Sequence, residues 1–148
     1  MESKMNFSFA LIHPLLVHFP VGLLFTGVLF ETYGKLRSEP AVERAGAFNL
    51  RLGYLFIFPA LGAGLLGLSD IEMRDNFRDF ISKHILFAFS SLFAFSLTLL
   101  ASRFLHGRMG KILYTIFSFV GFFCILATGY FGGELAHRFD LPLQLGMD

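Results

Sequence analysis

The chain has 148 residues, of which 55% are hydrophobic and only 16% charged, and its formal net charge is +1. A soluble domain carries about a quarter charged residues, and a protein that binds nucleic acid presents a cluster of Lys and Arg. The composition therefore indicates a membrane protein and argues against nucleic acid as a partner. The one cysteine, Cys124, excludes an internal disulfide and a thiolate metal cluster.

Four segments are almost free of charge, and each is about long enough to cross a hydrocarbon core of roughly 30 Å. They are 15–30, 52–68, 85–102 and 112–133. These segments predict an all-α fold, a single-domain (1–148) up-down bundle of four transmembrane helices with spans over about 14–33, 46–69, 81–103 and 111–137. The sequence shows no internal repeat. The N-terminal segment has no small-residue cleavage pattern, so we expect an uncleaved first span.

Span one opens with His-Pro-Leu-Leu-Val-His-Phe-Pro, residues 13–20. Pro14 suits the first position of a helix, where a missing N–H costs no hydrogen bond. This predicts that His13 stands at the start of the helix and that His18 lies just over one turn inside it. Pro20 removes a donor deeper in the span, which predicts a kink or a loosened turn beside His18.

The connections between the spans are short and charged. The first has helical composition from Ala41 onward, and we expect it to continue into span two. In the charged segment 69–83 and just after it, apolar residues and a histidine repeat at helical spacing, which predicts a short interfacial helix ahead of span three. These residues are Phe77, Phe80, Ile81 and His84.

The basic residues predict the orientation of the bundle. One face collects five of them: Lys4, Arg74, Arg78, Lys83 and Arg138. The other face collects seven: Lys35, Arg37, Arg44, Arg51, Arg103, Arg108 and Lys111. The positive-inside rule then places the second face in the cytoplasm. We expect a multi-pass protein of the bacterial inner (cytoplasmic) membrane with both termini in the periplasm.

Four of the five histidines fall at the predicted periplasmic end, together with Asp70. His13 and His18 open span one, Asp70 closes span two, His84 opens span three and His137 closes span four. A helix bundle builds internal sites from side chains that face one another at a common depth, and ionisable groups within spans usually turn inward. Solvation at the membrane surface is the better explanation for any one of these histidines alone. The set together favours a binding site.

Imidazoles without a thiolate suit haem iron, copper or zinc. His13 and His18 are five residues apart and lie on different faces of a helix, which weakens a compact copper or zinc site. Haem needs two histidines from different helices in apolar surroundings, and the Phe-rich spans supply these. The chain lacks a Cys-x-x-Cys-His motif, so we expect non-covalent haem b. Small residues beside the histidines leave room for a flat macrocycle, although such spacing also mediates ordinary helix packing; they include Gly22, Gly129 and Gly133.

We expect His18 and His84 to be the axial ligands, because each lies about one turn inside its helix. His137 is the substitute for either. His13 and Asp70 are expected to orient the ligands or to face a haem propionate. Glu134 and Asp70 could orient ring N–H groups or handle protons for a quinol, but Glu134 alone is better explained as a polar residue at a helix end near the headgroups.

Four stretches resemble a bacterial family of four-helix membrane proteins that is catalogued as a domain of unknown function. They are His13–Pro20 (HPLLVHFP), Gly67–Asp70 (GLSD), His84 at the head of span three, and Gly132–His137 (GGELAH). The resemblance covers the whole chain and implies the four-helix membrane fold. Similar membrane modules are associated with c-type cytochromes, which implies haem or respiratory electron transfer. The resemblance implies no established activity.

These patterns lead to three hypotheses for function. The first is a single-haem membrane protein or subunit that passes electrons between a periplasmic carrier and the quinone pool. The second is a structural or assembly subunit of a larger membrane complex, in which the histidines contribute only polarity. The third is a copper or zinc site built from the same histidines. No nucleophile and base stand in a recognisable arrangement, so the sequence leaves open whether the protein is an enzyme.

Overall fold

The computed structural model describes residues 9–68 and 75–138, with side chains over 12–68 and 77–137. These residues form four helices and no strand: α1 (Phe9–Arg37), α2 (Pro40–Gly67), α3 (Asp75–Phe104) and α4 (Gly107–Arg138). All four are long and apolar enough to cross a membrane. The predicted four-helix transmembrane bundle is confirmed.

The start of α1 differs from the expectation. The helix begins at Phe9, so His13 lies inside it and Pro14 does not occupy its first position. Residues 9–12 are all apolar (Phe-Ala-Leu-Ile) and extend the helix outward at little cost. A proline so near the start of the helix deprives only the carbonyl four residues earlier, that of Ala10, of its intrahelical donor. Pro20 and Pro59 also lie inside helices.

Helix α3 likewise begins earlier than the predicted third span. The segment expected to be a separate interfacial helix forms the first turns of α3, which continues without interruption to Phe104. Phe77 and Ile81 are buried there, while Arg78 and Asp79 are exposed. The segment is therefore helical as its spacing predicts, and burial of one face joins it to the span.

Two tight connections set the topology, and each joins neighbouring antiparallel helices through two residues. In the first, the Glu39 N–H donates to the Gly34 carbonyl at 2.8 Å, and Pro40 opens α2. In the second, Gly107 has φ +76°, a left-handed conformation that glycine adopts without strain. Below, "the turn end" is the end of the bundle that holds these connections, and "the histidine end" is the opposite one.

The bundle consists of two hairpins. Helices α1 and α2 pack closely along their length, as do α3 and α4, whereas the contacts of α1 with α4 and of α2 with α3 are much fewer. Glycines allow the close approach in the first hairpin: a Cβ on Gly27 would lie 2.8 Å from Leu50 Cγ, and one on Gly53 would lie 2.8 Å from Leu24 Cγ. The backbones of α1 and α3, and of α2 and α4, face each other diagonally without close contact.

Buried apolar side chains form two clusters. The larger one occupies the middle of the bundle and is built from Leu24, Val28, Leu50, Ile57, Phe95 and Ile125. The smaller lies toward the histidine end and contains Phe77, Ile81 and Leu135, with Leu68 packed against it. In α3, His84 falls between Ile81 of the small cluster and Phe95 of the large one. The histidine level is therefore enclosed by apolar layers on both sides.

Side-chain contacts join the hairpins between the middle of the bundle and the turn end. The Tyr114 hydroxyl of α4 donates to Glu31 Oε1 of α1 at 2.5 Å. The Tyr54 and Ser96 hydroxyls of α2 and α3 are hydrogen-bonded at 2.9 Å. The rings of Phe25 and Phe122 stack with centroids 5.3 Å apart. The hairpins are thus held together from the middle of the bundle to the turn end.

Candidate functional site

His13 of α1 and His84 of α3 face each other across the diagonal of the bundle. Their ring centroids are 6.0 Å apart and their planes are nearly perpendicular, at 88°. Both side chains are partly buried. Two imidazoles from different hairpins therefore meet at one depth inside the histidine end.

Each of these rings is oriented by a backbone carbonyl of the neighbouring helix. His13 Nδ1–H donates to the Ala60 carbonyl at 2.8 Å, and His84 Nδ1–H donates to the Thr128 carbonyl at 3.0 Å. A carbonyl only accepts, so the proton of each neutral ring is on Nδ1. The Nε2 lone pairs remain, and neither Nε2 has a hydrogen-bond partner among the described residues. Metal-ligating histidines show this arrangement, with the second nitrogen fixed by an acceptor.

Each ring also lies over a glycine. A Cβ on Gly64 would be 2.8 Å from His13 Cε1, closer than real contacts allow, and one on Gly132 would be 3.2 Å from His84 Cε1. Both glycines come four residues after the carbonyl that accepts the hydrogen bond. The helix turn below each ring is therefore free of side chain, and the ring packs directly on the backbone.

The two hairpins thus contain matching half-sites. In each, a histidine of the first helix donates to a carbonyl of the second helix and packs on the glycine one turn later. The separation from histidine to acceptor is also similar, 47 residues in one hairpin and 44 in the other. The sequence does not reveal this repeat, because the acceptors are backbone atoms and only the histidine and the glycine match in type.

The other predicted site residues lie apart from this pair. His18 is exposed on the outside of α1, and its Nδ1–H donates to the Pro14 carbonyl of the same helix at 2.5 Å. His137 is exposed near the end of α4, and His106 is exposed at the turn end. Asp70 lies outside the described residues. The preference for His18 with His84 stays a prediction, while the contact that the structure contains is His13 with His84.

Within the described part of the chain, no three His, Cys, Asp or Glu side chains stand close enough together to hold a metal ion. The His13–His84 pair offers two nitrogen donors. Glu134 is partly buried on α4 and has contacts of its own. Two donors suit a metal whose other ligands come from a bound group.

Sequence reasoning misses a second polar cluster, which lies at the turn end. Glu31 is 6% exposed, accepts from the Tyr114 hydroxyl, and forms an ion pair with Lys35 at 3.2 Å. The Lys35 ammonium also lies 4.6 Å from the centre of the Tyr114 ring. A carboxylate in an apolar span is the signal that could have found this cluster. Its partner on α4 has no signature in the spacing, because 83 residues separate them.

Comparison with known proteins gives a similarity at the level of the family. The model of a family described as "Predicted membrane protein (DUF2231)" matches residues 10–144. None of the curated proteins matches the chain, and neither does any solved structure. The matched range includes all four helices almost completely, and with them both half-sites.

Proposed function

The chain belongs to the DUF2231 family of predicted membrane proteins. From the His13–His84 pair we propose that it is a haem b protein of the bacterial cytoplasmic membrane that transfers electrons. In this proposal His13 and His84 would hold the haem iron. His13 takes the place expected from the sequence for His18, because His18 lies on the outside of α1.

The observation that carries the proposal is the His13–His84 pair itself. The two ring centroids lie 6.0 Å apart, which brings both histidines within reach of one metal centre. Both rings carry the proton on Nδ1 and keep the Nε2 lone pair available. The donor set and its spacing therefore fit the binding of one metal centre.

Haem fits this pair better than a zinc or copper ion held by side chains alone. A structural zinc site takes four protein ligands and a catalytic site three, whereas the described residues bring no three such side chains together. The porphyrin supplies four nitrogens and leaves two axial positions for histidine. The two hairpins make few contacts with each other. A haem held by one histidine from each hairpin would link them, which also supports the proposal.

The bound haem supplies one-electron chemistry at its iron. The chain's own residues prepare the site. The Ala60 and Thr128 carbonyls fix the two rings and make each Nε2 a stronger donor. The apolar clusters around Ile81 and Phe95 lie on both sides of the histidine level. An apolar, preorganised surrounding reduces the rearrangement that accompanies a change of charge.

The orientation decides which partners reach the site. With the turn end in the cytoplasm, as the basic residues predict, the histidine end faces the periplasm. The site is then accessible to a periplasmic electron carrier and to quinol in the outer leaflet. His106 stands alone at the turn end among the described histidines, so we propose a single haem per chain.

The absorption spectrum of protein purified after haem-replete expression tests the proposal. We expect a Soret band that is lost in His13→Ala and in His84→Ala and retained in His18→Ala and His137→Ala. The latter two variants are matched controls, since both remove an exposed histidine. Wild-type protein without a Soret band, or loss of the band in His18→Ala but not in His13→Ala, would contradict the proposal. A pyridine haemochrome assay showing two haems per chain would contradict the stoichiometry.

A second candidate function is that of a structural or assembly subunit in a larger membrane complex. The observation that favours it is a set of open glycines, at which an added Cβ would meet no atom of the chain within 4 Å, so that a partner helix could approach closely. They are Gly22, Gly62, Gly129 and Gly133. Leucine at Gly129 or Gly133 would then abolish co-purification of a partner without affecting a Soret band. Unchanged co-purification in both variants would argue against this function.

A further inference from the structure

The outer surface of α1 carries a polar atom toward the membrane. Leu15, His18, Phe19 and Gly22 follow one another at helical spacing, so they share one face of the helix. All four are exposed, Leu15 by 68% and Phe19 by 51%. We refer to these four residues as the His18 face.

His18 lies within the candidate span of α1, Ile12–Arg37, six residues or about 9 Å by helix rise from Ile12. Its side chain is exposed. Its Nδ1–H is occupied by the Pro14 carbonyl, so the neutral ring keeps Nε2 as an acceptor. No described residue donates to it. An outward polar atom is uncommon in a span, where ionisable residues usually face the interior of the bundle.

The surface around His18 is open. A Cβ on Gly22, one turn further along α1, would meet no atom of the chain within 4 Å. The ring of the neighbouring Phe19 stacks on Phe56 of α2, with centroids 5.2 Å apart. An aromatic ring, an open glycine and one acceptor nitrogen therefore share the membrane-facing side of α1.

We infer that the His18 face binds the head group of a quinol from the outer leaflet. A quinol is soluble in the bilayer, has a flat ring for the space over Gly22, and donates a hydroxyl proton that Nε2 accepts. A phospholipid phosphate presents only acceptors and finds no donor here. His18 follows His13 by five residues, about 8 Å along the axis. The inference rests on the proposed function, because a redox group at His13 and His84 is what gives a quinol at this place its role.

The test measures binding rather than turnover. Radiolabelled decylubiquinol is equilibrated with the full chain in quinone-free phosphatidylcholine nanodiscs, whose lipid has no hydrogen-bond donor. His18→Leu and Gly22→Leu are each expected to weaken binding about tenfold. The first removes the acceptor of one hydrogen bond, and the second places a side chain in the open space over Gly22. A Cβ at Gly22 meets no atom of the chain, so the fold should tolerate the second variant. His137→Leu and Gly129→Leu, also at exposed positions, should bind as the wild type does.

A chemical control isolates the hydrogen bond. The dimethyl ether of decylubiquinol has the same ring and tail but no hydroxyl, and we expect it to bind about tenfold more weakly than the quinol. Equal binding of ether and quinol, or wild-type affinity in both His18→Leu and Gly22→Leu, would overturn the inference. The inference would also be overturned if the wild type self-associates and binds no quinol, and these variants convert it to a monomer. The His18 face would then contact a second copy of the chain.

The haem-free variant His13→Ala separates this inference from the proposed function. Because the His18 face lies outside the bundle, the variant should still bind decylubiquinol with wild-type affinity. A wild-type chain that binds quinol but shows no Soret band would refute haem binding and leave the quinol site standing. A chain that shows a Soret band but binds quinol and ether with equal affinity would refute the quinol site and leave haem binding standing.

Discussion

Each histidine of the pair is held by two contacts, a carbonyl at its Nδ1 and a glycine under its ring. The carbonyl fixes which nitrogen carries the proton, and the glycine fixes how close the ring comes to the helix backbone. The space between ring and glycine differs between the two half-sites. A Cβ on Gly64 would lie 2.8 Å from His13 Cε1, whereas a Cβ on Gly132 would lie 3.2 Å from His84 Cε1. The two half-sites should therefore respond differently to the same substitution.

We predict that Gly64→Ala disturbs the site more than Gly132→Ala, because His13 must move whereas His84 needs to give by only a few tenths of an ångström. Overpacking of this kind costs about 1–3 kcal/mol. The loss in free energy of unfolding in mixed micelles should be larger for Gly64→Ala than for Gly132→Ala, and so should the loss in affinity for the proposed haem. Gly129→Ala, which meets no atom of the chain, serves as the control and should change neither quantity. A larger loss for Gly129→Ala than for Gly64→Ala would contradict the placement of the His13 ring.

At this scale the sequence predicts the residue types but not the pairing. Four histidines at one end follow from counting spans, because depth in a membrane depends only on position along a helix. Which histidine faces inward depends on the rotation of the helix, and α1 has no strong apolar face to define it, since lipid and core are both apolar. The choice of His18 over His13 therefore rests on depth alone, and the acceptor carbonyls of Ala60 and Thr128 have no signature in the side-chain pattern.

Among the helices, α1 and α4 share a cluster of polar side chains at the turn end. Glu31 is enclosed and receives hydrogen bonds from Tyr114 and from Lys35 of its own helix. A small cavity lies beside this cluster, lined on one side by Val28 and on the other by Ser118 and Phe119. The cluster thus stabilises the contact between the two hairpins, which is looser than the helix packing within each hairpin.

We predict that Tyr114→Phe lowers the free energy of unfolding by about 1–3 kcal/mol, because Glu31 Oε1 loses its donor in a buried place. Combining it with Glu31→Gln in a double-mutant cycle should give a loss smaller than the sum of the two single losses. Lys83→Met provides the control, since it breaks an ion pair with Asp79 in which both side chains are exposed. That pair should be worth less than about 1 kcal/mol. Equal losses for Tyr114→Phe and Lys83→Met would show that Glu31 is not enclosed.

The helices themselves are the most predictable part of the molecule. Long uncharged segments identify spans without reference to tertiary contacts, because the bilayer fixes their length. Their ends are less predictable, as Pro14 and the first turns of α3 show. In both cases neighbouring apolar residues continue the helix past a signal that would end one in water.

For the molecule as a whole, orientation is the property that links the site to its partners. We predict that the turn end is cytoplasmic, because seven of the twelve Lys and Arg residues lie at that face. In a Cys124→Ser background, His106→Cys should react with a membrane-impermeant maleimide only after the inner membrane is opened. Asp79→Cys, exposed near the start of α3, should react in intact spheroplasts. The opposite labelling pattern would turn the histidine pair toward the cytoplasm and remove the periplasmic carrier from the proposed function.

The division into two hairpins has a consequence for biogenesis. Each hairpin has a two-residue turn and its own close helix contacts, so the first hairpin can leave the translocon and pair its helices before the second is synthesised. Docking of the hairpins is then the last step of maturation, and it is the step that brings His13 to His84. A pigment ligated by both residues would mark only chains that have completed this step, so that the colour of the membrane reports how much of the newly made protein has matured.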